Sequence, residues 1–187
     1  MTQIPTSLKF FCFLVCLASI PSLKALPAGY QNLPPEPISN FSFYEDISPQ
    51  LKDPFNLEPF LRKDKVVILH FWSTSCPACI TELPQIDKAA QTYKNQPIEF
   101  LVISLNDPQG GYLTKFFGKK RIRFLKPYKS PSLEKPAIYG LPTTLIINRT
   151  GLLVGKIEGP AAWQSSEMDQ LLTRLMNRET LNPVKKS

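Results

Sequence analysis

Residues 66–84 read V-V-I-L-H-F-W-S-T-S-C-P-A-C-I-T-E-L-P and join an apolar run to a C-x-x-C pair. The run 66–72 is rich in β-branched and aromatic residues, which is typical of a central parallel strand covered on both faces. Serine and threonine at 73–75 favour a turn and a helix N-terminus. The stretch therefore predicts a buried strand followed by a helix that begins at about Cys76 and ends at about Tyr93.

The two cysteines of this stretch predict redox chemistry. At the start of a helix, the Cys76 sulfur lies where unpaired N–H groups and the helix dipole favour a negative charge. We therefore expect the Cys76 thiol to ionise easily. Cys79 follows one helical turn later, close enough to form a short-loop disulfide with Cys76. The pair is expected to act as a reversible two-electron switch.

The N-terminal residues predict export. An apolar run over 10–20 follows a lysine and ends at a proline. A membrane-spanning helix needs about 20 apolar residues, so a cleaved signal peptide over 1–25 is favoured over an uncleaved membrane anchor. Cys12 and Cys16 leave with this leader. An exported protein whose remaining cysteines are one C-x-x-C pair uses that pair for chemistry, and we expect a periplasmic location.

Composition and charge narrow the function further. A half zinc site is the alternative for the cysteine pair, but zinc usually takes four ligands, and His70 is the single histidine of the chain. We therefore expect no metal and no other cofactor.

The formal net charge of +7 is spread along the chain and gives no argument for a nucleic-acid partner. Its densest part, 119–135, is interpreted as a solvated loop, with a docking face for an acidic partner as the alternative.

The chain predicts one domain with flanking segments. Prolines dominate 26–39, which favours an extended linker. Residues 40–181 are expected to form the folded domain, and 182–187 a C-terminal tail. The predicted elements other than the strand and helix of 66–93 are an edge strand at 40–45, an extended piece at 55–57, a strand at 98–105, helices at 107–117 and 132–139, a hairpin of 143–148 and 152–158, and a helix from Ser165 with a core-facing Met and Leu stripe.

The segment F-W-S-T-S-C-P-A-C at 71–79 resembles the F-W-x-x-W-C-x-x-C region of the thioredoxin superfamily, in particular of the exported TlpA/ResA-type thiol-disulfide proteins. Ser75 departs from that pattern, because a second tryptophan is usual there. Pro84 lies where the family's active-site helix is kinked, and G-L-P-T-T-L-I-I-N at 140–148 resembles its cis-proline loop. The resemblance covers roughly 40–181 and implies an α/β, thioredoxin-like fold with a central mixed β-sheet flanked by helices.

The resemblance implies a catalytic role for four residues. Cys76 would attack a partner disulfide, and Cys79 would resolve the mixed disulfide. His70 would lie beneath Cys79 as its proton acceptor, and the alternative is a core histidine bonded to backbone or water. Glu82 matches a glutamate that ResA-type proteins keep close to the cysteines, and the alternative is a surface helix residue.

The resemblance also implies a substrate groove. Pro142 is expected to follow a cis peptide bond, with a trans turn proline as the alternative. The backbone of Leu141 would face the disulfide and hydrogen-bond a substrate strand. Trp72 would contribute to the hydrophobic surface around Cys76 or pack in the core.

These features predict an exported thiol-disulfide oxidoreductase that reduces disulfides of protein partners, with apocytochrome c as the substrate that the resemblance implies. Its electrons would come from a membrane or soluble thiol protein, and we expect a monomer. A reducing direction is favoured because Pro77 and Ala78 offer no charge that would stabilise a reduced thiolate. The alternatives are a disulfide oxidant or isomerase on the same fold, and a non-catalytic thioredoxin-like binding module.

Overall fold

The computed structural model describes residues 25–38, 42–46, 54–106, 110–130 and 138–179, and these contain eight strands and four helices. The predicted C-terminal tail, all but the last residue of the predicted signal peptide, and most of the helix predicted at 132–139 lie outside this part. No helix within the described part is long and apolar enough to cross a membrane. In chain order the elements are β1 (Tyr30–Pro37), β2 (Ser42–Glu45), β3 (Phe55–Asn56), α1 (Glu58–Leu61), β4 (Val66–Trp72), α2 (Pro77–Thr92), β5 (Ile98–Ser104), α3 (Tyr112–Lys120), β6 (Pro127–Lys129), β7 (Thr143–Ile147), β8 (Leu152–Glu158) and α4 (Ser166–Met176).

Strand β4 lies inside one mixed sheet, whose strand order is β1-β8-β7-β4-β5-β6-β2-β3. It pairs in parallel with β5 and antiparallel with β7, and all seven of its residues are buried. A parallel pair of consecutive strands needs a crossover connection, which α2 provides between β4 and β5. The predicted α/β fold with a mixed sheet is therefore confirmed.

The side chains of β4 alternate between two apolar clusters, one on each face of the sheet. Ile68 and Trp72 belong to the cluster to which α2, α3 and α4 contribute. Leu69 and Phe71 belong to the other cluster, against which α1 packs. Helices therefore flank the sheet on both faces, and His70 lies on the face that α2 covers.

The elements with the strongest local signals are confirmed. β4 has the predicted bounds, and β5 and β7 each end one residue earlier than predicted. Helix α2 begins one residue later and ends one residue earlier than predicted. Ser165 is the N-cap of α4, because its side chain accepts a hydrogen bond from the Met168 N–H at 3.2 Å. The stripe of α4 is buried as predicted and consists of Met168, Leu171, Leu172, Leu175 and Met176.

Helix α3 begins later than the prediction of 107–117. The buried carboxylate of Asp46 accepts hydrogen bonds from the N–H groups of Gly111 at 2.9 Å and Thr114 at 3.0 Å. A residue far away in sequence therefore satisfies the free donors of the helix start. Gly111 has a φ of 80°, a left-handed conformation that glycine adopts without steric cost.

The predicted linker is wrong for Tyr30–Pro37, which form β1. This strand pairs antiparallel with β8 at the edge of the sheet, where prolines are tolerated because one side of the strand needs no hydrogen bonds. The register shifts between Asn32 and Glu36, around the Pro-Pro step. The Tyr30 ring lies against Gly155 of β8, where any Cβ atom would clash with it. The folded domain therefore begins before residue 40.

Two further segments differ from prediction. The strand predicted at the edge, 40–45, is β2, and β3 pairs outside it and forms the edge instead. The segment 119–135, predicted as a loop, includes the end of α3 and strand β6. Lys129 of β6 is buried, with its ammonium 3.8 Å from the Asp46 carboxylate. Part of the basic charge in this segment therefore belongs to the packed interior.

Candidate active site

Cys76 and Cys79 form a disulfide at the start of α2, with their Cα atoms 5.3 Å apart. Cys76 is the N-cap residue, and its sulfur accepts a hydrogen bond from the Cys79 N–H at 3.2 Å. Cys76 is half-buried, whereas Cys79 is fully buried. Cys76 is therefore the more accessible of the two sulfurs, and the N–H groups of the first turn favour its thiolate form.

Hydrogen bonds of Ser73 and Ser75 stabilise the turn that carries Cys76. The Cys76 N–H donates to the Ser73 carbonyl oxygen at 3.1 Å. The Ser75 N–H donates to the Ser73 hydroxyl at 3.1 Å, and the two serine hydroxyls lie 2.7 Å apart. These bonds close a tight turn between β4 and α2, which orients Cys76 at the helix start.

Asn106 joins this turn to the end of β5, a role that sequence analysis missed. Its side-chain oxygen accepts hydrogen bonds from the Thr74 N–H at 3.2 Å and the Ser104 hydroxyl at 2.6 Å. Its amide group donates to the Thr74 hydroxyl at 2.6 Å. The available signal was a polar residue directly after a buried strand that runs parallel to β4, since such strands end at the same edge of the sheet.

The Leu141–Pro142 peptide bond is cis, as predicted. The antiparallel register pairs Thr143 of β7 with Phe71 of β4, so the loop before β7 lies beside the turn that carries the cysteines. The Pro142 carbonyl oxygen accepts a hydrogen bond from the Gly159 N–H at 2.9 Å, which attaches this loop to the end of β8. Leu141 is half-buried and Pro142 is buried. The sheet therefore brings the disulfide and the cis-proline loop to one edge.

His70 is fully buried, and its ring contacts side chains from two other parts of the chain. Its Nδ1 lies 3.0 Å from the Thr144 hydroxyl on β7, and its ring meets that of Trp163 edge-on at 6.3 Å. Its Nε2 has no hydrogen-bond partner among the described residues. Burial lowers the pKa of His70 to about 3, so the imidazole is neutral at physiological pH.

Glu82 is 2% exposed, so the alternative of a surface helix residue is wrong. Its Oε1 accepts hydrogen bonds from the Ala161 N–H at 3.0 Å and from the Trp163 indole N–H. Its Oε2 has no partner within the described part of the chain. Burial raises the pKa of Glu82, and these two hydrogen bonds oppose that shift only in part. A carboxyl with an unusual pKa thus lies one helical turn beyond Cys79.

Trp72 is fully buried, which contradicts its predicted place in the surface around the disulfide. Its indole packs against the rings of Phe116 and Phe117 at 5.7 and 5.8 Å. As the last residue of β4 it points to the face that α2, α3 and α4 cover, where its side chain packs against α3. The alternative of a core residue is correct.

Trp163 and Thr144 are further residues that sequence analysis missed. Trp163 is buried between β8 and α4 and contacts both Glu82 and His70. A buried indole N–H needs an acceptor, but nothing in the sequence around Trp163 shows which residue supplies it. Among the described residues, no group of three or more His, Cys, Asp or Glu side chains is arranged to hold a metal ion.

A helix-start disulfide beside a cis-proline loop, built on a mixed sheet, is the arrangement of the thioredoxin superfamily. The chain belongs to the Redoxin family, whose sequence model matches residues 37–172.

Two curated relatives carry the name thiol-disulfide oxidoreductase ResA. The protein from Halalkalibacterium halodurans is 35% identical over 95 residues, which are 48% of this chain and 52% of that protein. The protein from Geobacillus kaustophilus is 26% identical over 121 residues, 64% of this chain and 60% of that protein. The chain therefore spans less than two thirds of the length of either relative.

A solved structure shows the same fold. The thiol:disulfide interchange protein of the thioredoxin family from Chlorobium tepidum TLS superposes with a TM-score of 0.61. The two chains are 22% identical, and the match covers 78% of this chain and 99% of the other. At this identity the likeness is one of fold.

Proposed function

We propose that this protein is a thiol-disulfide oxidoreductase that exchanges disulfides with protein partners. The observation that carries the proposal is the disulfide between half-buried Cys76 and buried Cys79 at the start of α2. One sulfur is open to a partner and the other is shielded behind it, which supports attack by the first and resolution by the second. The names of the ResA relatives support the same activity.

In the reducing direction the reaction has two exchange steps. The Cys76 thiolate attacks one sulfur of the partner disulfide, so a mixed disulfide forms while the partner's S–S bond breaks, and the released partner thiolate takes up a proton. Cys79 then loses its proton and attacks the Cys76 sulfur, which releases the second partner thiol. The partner gains two electrons, the protein is left with the Cys76–Cys79 disulfide, and a thiol protein regenerates the pair. The two steps need no cofactor.

The cis-proline loop is proposed to hold the partner. Leu141 lies beside the turn that carries the cysteines, and its backbone would pair with an extended segment of the substrate. Such pairing would present the substrate disulfide to Cys76. Buried Pro142 is assigned the role of shaping this loop, because a proline leaves no N–H of its own to compete with the substrate strand.

Glu82 is better suited than His70 to take the Cys79 proton. Burial raises the pKa of Glu82, so its carboxylate is a stronger base than that of an exposed glutamate. Burial lowers the pKa of His70 to about 3, so its imidazole binds a proton poorly at neutral pH. We therefore assign proton transfer to Glu82. The role assigned to His70 is structural: its neutral ring forms a hydrogen bond with Thr144 that joins β4 to β7.

Two matched variants test this assignment. Glu82→Gln is expected to slow resolution of a preformed Cys76 mixed disulfide at neutral pH by about ten-fold or more, because the amide keeps an acceptor for the Trp163 indole but cannot take up the proton. His70→Asn is expected to slow it much less. The rate of thiol release, followed by rapid mixing between pH 5 and 9, measures both. If a folded His70→Asn variant is slowed as much as Glu82→Gln, His70 and not Glu82 is the proton acceptor.

We further propose a reducing role in an extracytoplasmic compartment. The apolar run at 10–20 supports export through a cleaved signal peptide, with an uncleaved anchor as the alternative. The resemblance of 71–79 and 140–148 to ResA-type proteins supports apocytochrome c as the substrate class. A membrane or soluble thiol protein would supply the electrons.

The reduction potential of the pair is expected near the thioredoxin value of about −270 mV and far from the DsbA value of about −120 mV. Between the cysteines, Pro77 and Ala78 provide no charge to stabilise the thiolate of a strongly oxidising pair. Equilibration in glutathione buffers, with alkylation to count thiols, measures the potential. A value above about −150 mV would favour the disulfide oxidant. Failure to reduce model disulfides, such as glutathione disulfide, would leave the non-catalytic binding module.

A further inference from the structure

Tyr139 stands at the rim of the proposed substrate groove, two residues before Leu141. It is 85% exposed, and no other large apolar side chain in the described part of the chain exceeds 48%. The Lys156 ammonium lies 5.4 Å from the centre of its ring. A single exposed aromatic is ordinary on a protein surface, so its exposure alone does not indicate a function. The location of Tyr139 beside the groove does.

Two cavities flank the loop 139–141. One of about 270 Å³ lies between this loop and the edge formed by Ser73 and Leu105. The other, of about 280 Å³, lies between the loop and the end of β8, at Glu158 and Gly159. Residues 139–141 line both cavities. The Tyr139 loop is therefore the wall that separates them.

The two cavities can receive different side chains of an extended substrate. Neighbouring side chains of an extended segment point to opposite sides of its backbone, so a segment paired along Leu141 presents its residues to both cavities. The first cavity has apolar walls at Leu105, Ile138 and Leu141. The second contains Glu158, whose pKa is lowered by its hydrogen bond with Lys156, so that this carboxyl is charged. A large apolar side chain therefore fits the first cavity and not the second.

We propose that Tyr139 is a specificity-determining residue: with the cavity beside Leu105, it takes up a large apolar side chain next to the substrate cysteine. This inference rests on the proposed thiol-disulfide exchange. The substrate side chain packs against the Tyr139 ring and leaves water at the moment when Cys76 attacks. Partial burial of a leucine in this way raises kcat/KM by about ten-fold over alanine.

The test compares cystine-linked peptides that differ only in the residue after the cysteine, which is leucine, alanine or aspartate. The full chain is expected to prefer the leucine peptide over the alanine peptide by about ten-fold in kcat/KM. Tyr139→Ala is expected to reduce this preference to about two-fold, and Tyr139→Phe to retain it. Phe124→Ala, which removes another exposed aromatic that lines neither cavity, is the matched control and is expected to keep the wild-type ratio.

Glutathione disulfide, which offers no large apolar side chain, tests disulfide exchange separately from the side-chain preference attributed to Tyr139. If the wild-type chain reduces glutathione disulfide and does not distinguish the peptides, this inference is overturned and the proposed function stands. The same holds if Tyr139→Ala keeps the full preference. If the wild-type chain reduces none of these disulfides, the proposed function fails and the inference fails with it.

Discussion

Cys76→Ser is expected to abolish disulfide exchange, with the rate lowered by roughly a thousand-fold or more, because a serine hydroxyl does not ionise at neutral pH and forms no disulfide. Cys79→Ser is expected to keep the first exchange step and lose the second, so mixed disulfides accumulate at Cys76. The physical basis is the geometry of α2, which leaves Cys76 half-buried at the N-cap and covers Cys79 completely.

Mass spectrometry of each variant after exposure to a cystine-linked peptide measures the trapped intermediate. In the reduced wild-type chain, iodoacetamide at neutral pH is expected to label Cys76 far faster than Cys79. Thr81→Ala, on the exposed side of the same helix, serves as the control and should exchange at the wild-type rate. Preferential labelling of Cys79, or trapping by Cys76→Ser in place of Cys79→Ser, would reverse the assignment.

Asp87→Ala is expected to lower the free energy of unfolding by about 3 kcal/mol. Asp87 is 9% exposed, and its carboxylate accepts hydrogen bonds from three successive backbone N–H groups. The N–H of Phe124 donates at 2.7 Å, and those of Arg123 and Leu125 at 3.1 Å. Alanine removes the acceptor, and the Leu125 N–H in particular is left buried without a partner.

Urea denaturation followed by circular dichroism measures this loss. Asp87→Asn is the matched control, because the amide oxygen keeps one acceptor while the charge is removed, and a smaller loss is expected. A loss in Asp87→Ala below about 1 kcal/mol would mean that water replaces the carboxylate at little cost. The contact matters for the site because it attaches the segment after α3 to α2, the helix that carries both cysteines.

Local patterns were sufficient for the elements that carry the cysteines. A seven-residue apolar run followed by serines and a C-x-x-C pair predicted β4, the turn and α2, because the apolar pattern of a strand and the capping of a helix are properties of neighbouring residues. The cis bond before Pro142 was predicted from a resemblance rather than from local physics, since most X-Pro bonds are trans.

Elements stabilised by distant partners were predicted poorly. Tyr30–Pro37 has the composition of a linker, and it is a strand because β8 offers a free edge and Gly155 admits the Tyr30 ring. Helix α3 starts at Tyr112 because Asp46, more than sixty residues earlier, accepts its first N–H bonds. Neither pairing leaves a trace in the local sequence.

By itself, the sequence determined the C-x-x-C pair and its order, with Cys76 at the helix start and Cys79 one turn later, since these follow from residue types at fixed spacing on one strand and one helix. The thioredoxin-like class came from the resemblance of 71–79 and 140–148 to that superfamily. Only the tertiary structure decided that Trp72 is a core residue, that Glu82 is buried with a raised pKa, and that His70 is held neutral beside Thr144. The physical reason is that burial and pKa depend on which distant elements cover a side chain, and period and spacing along the chain do not specify those elements.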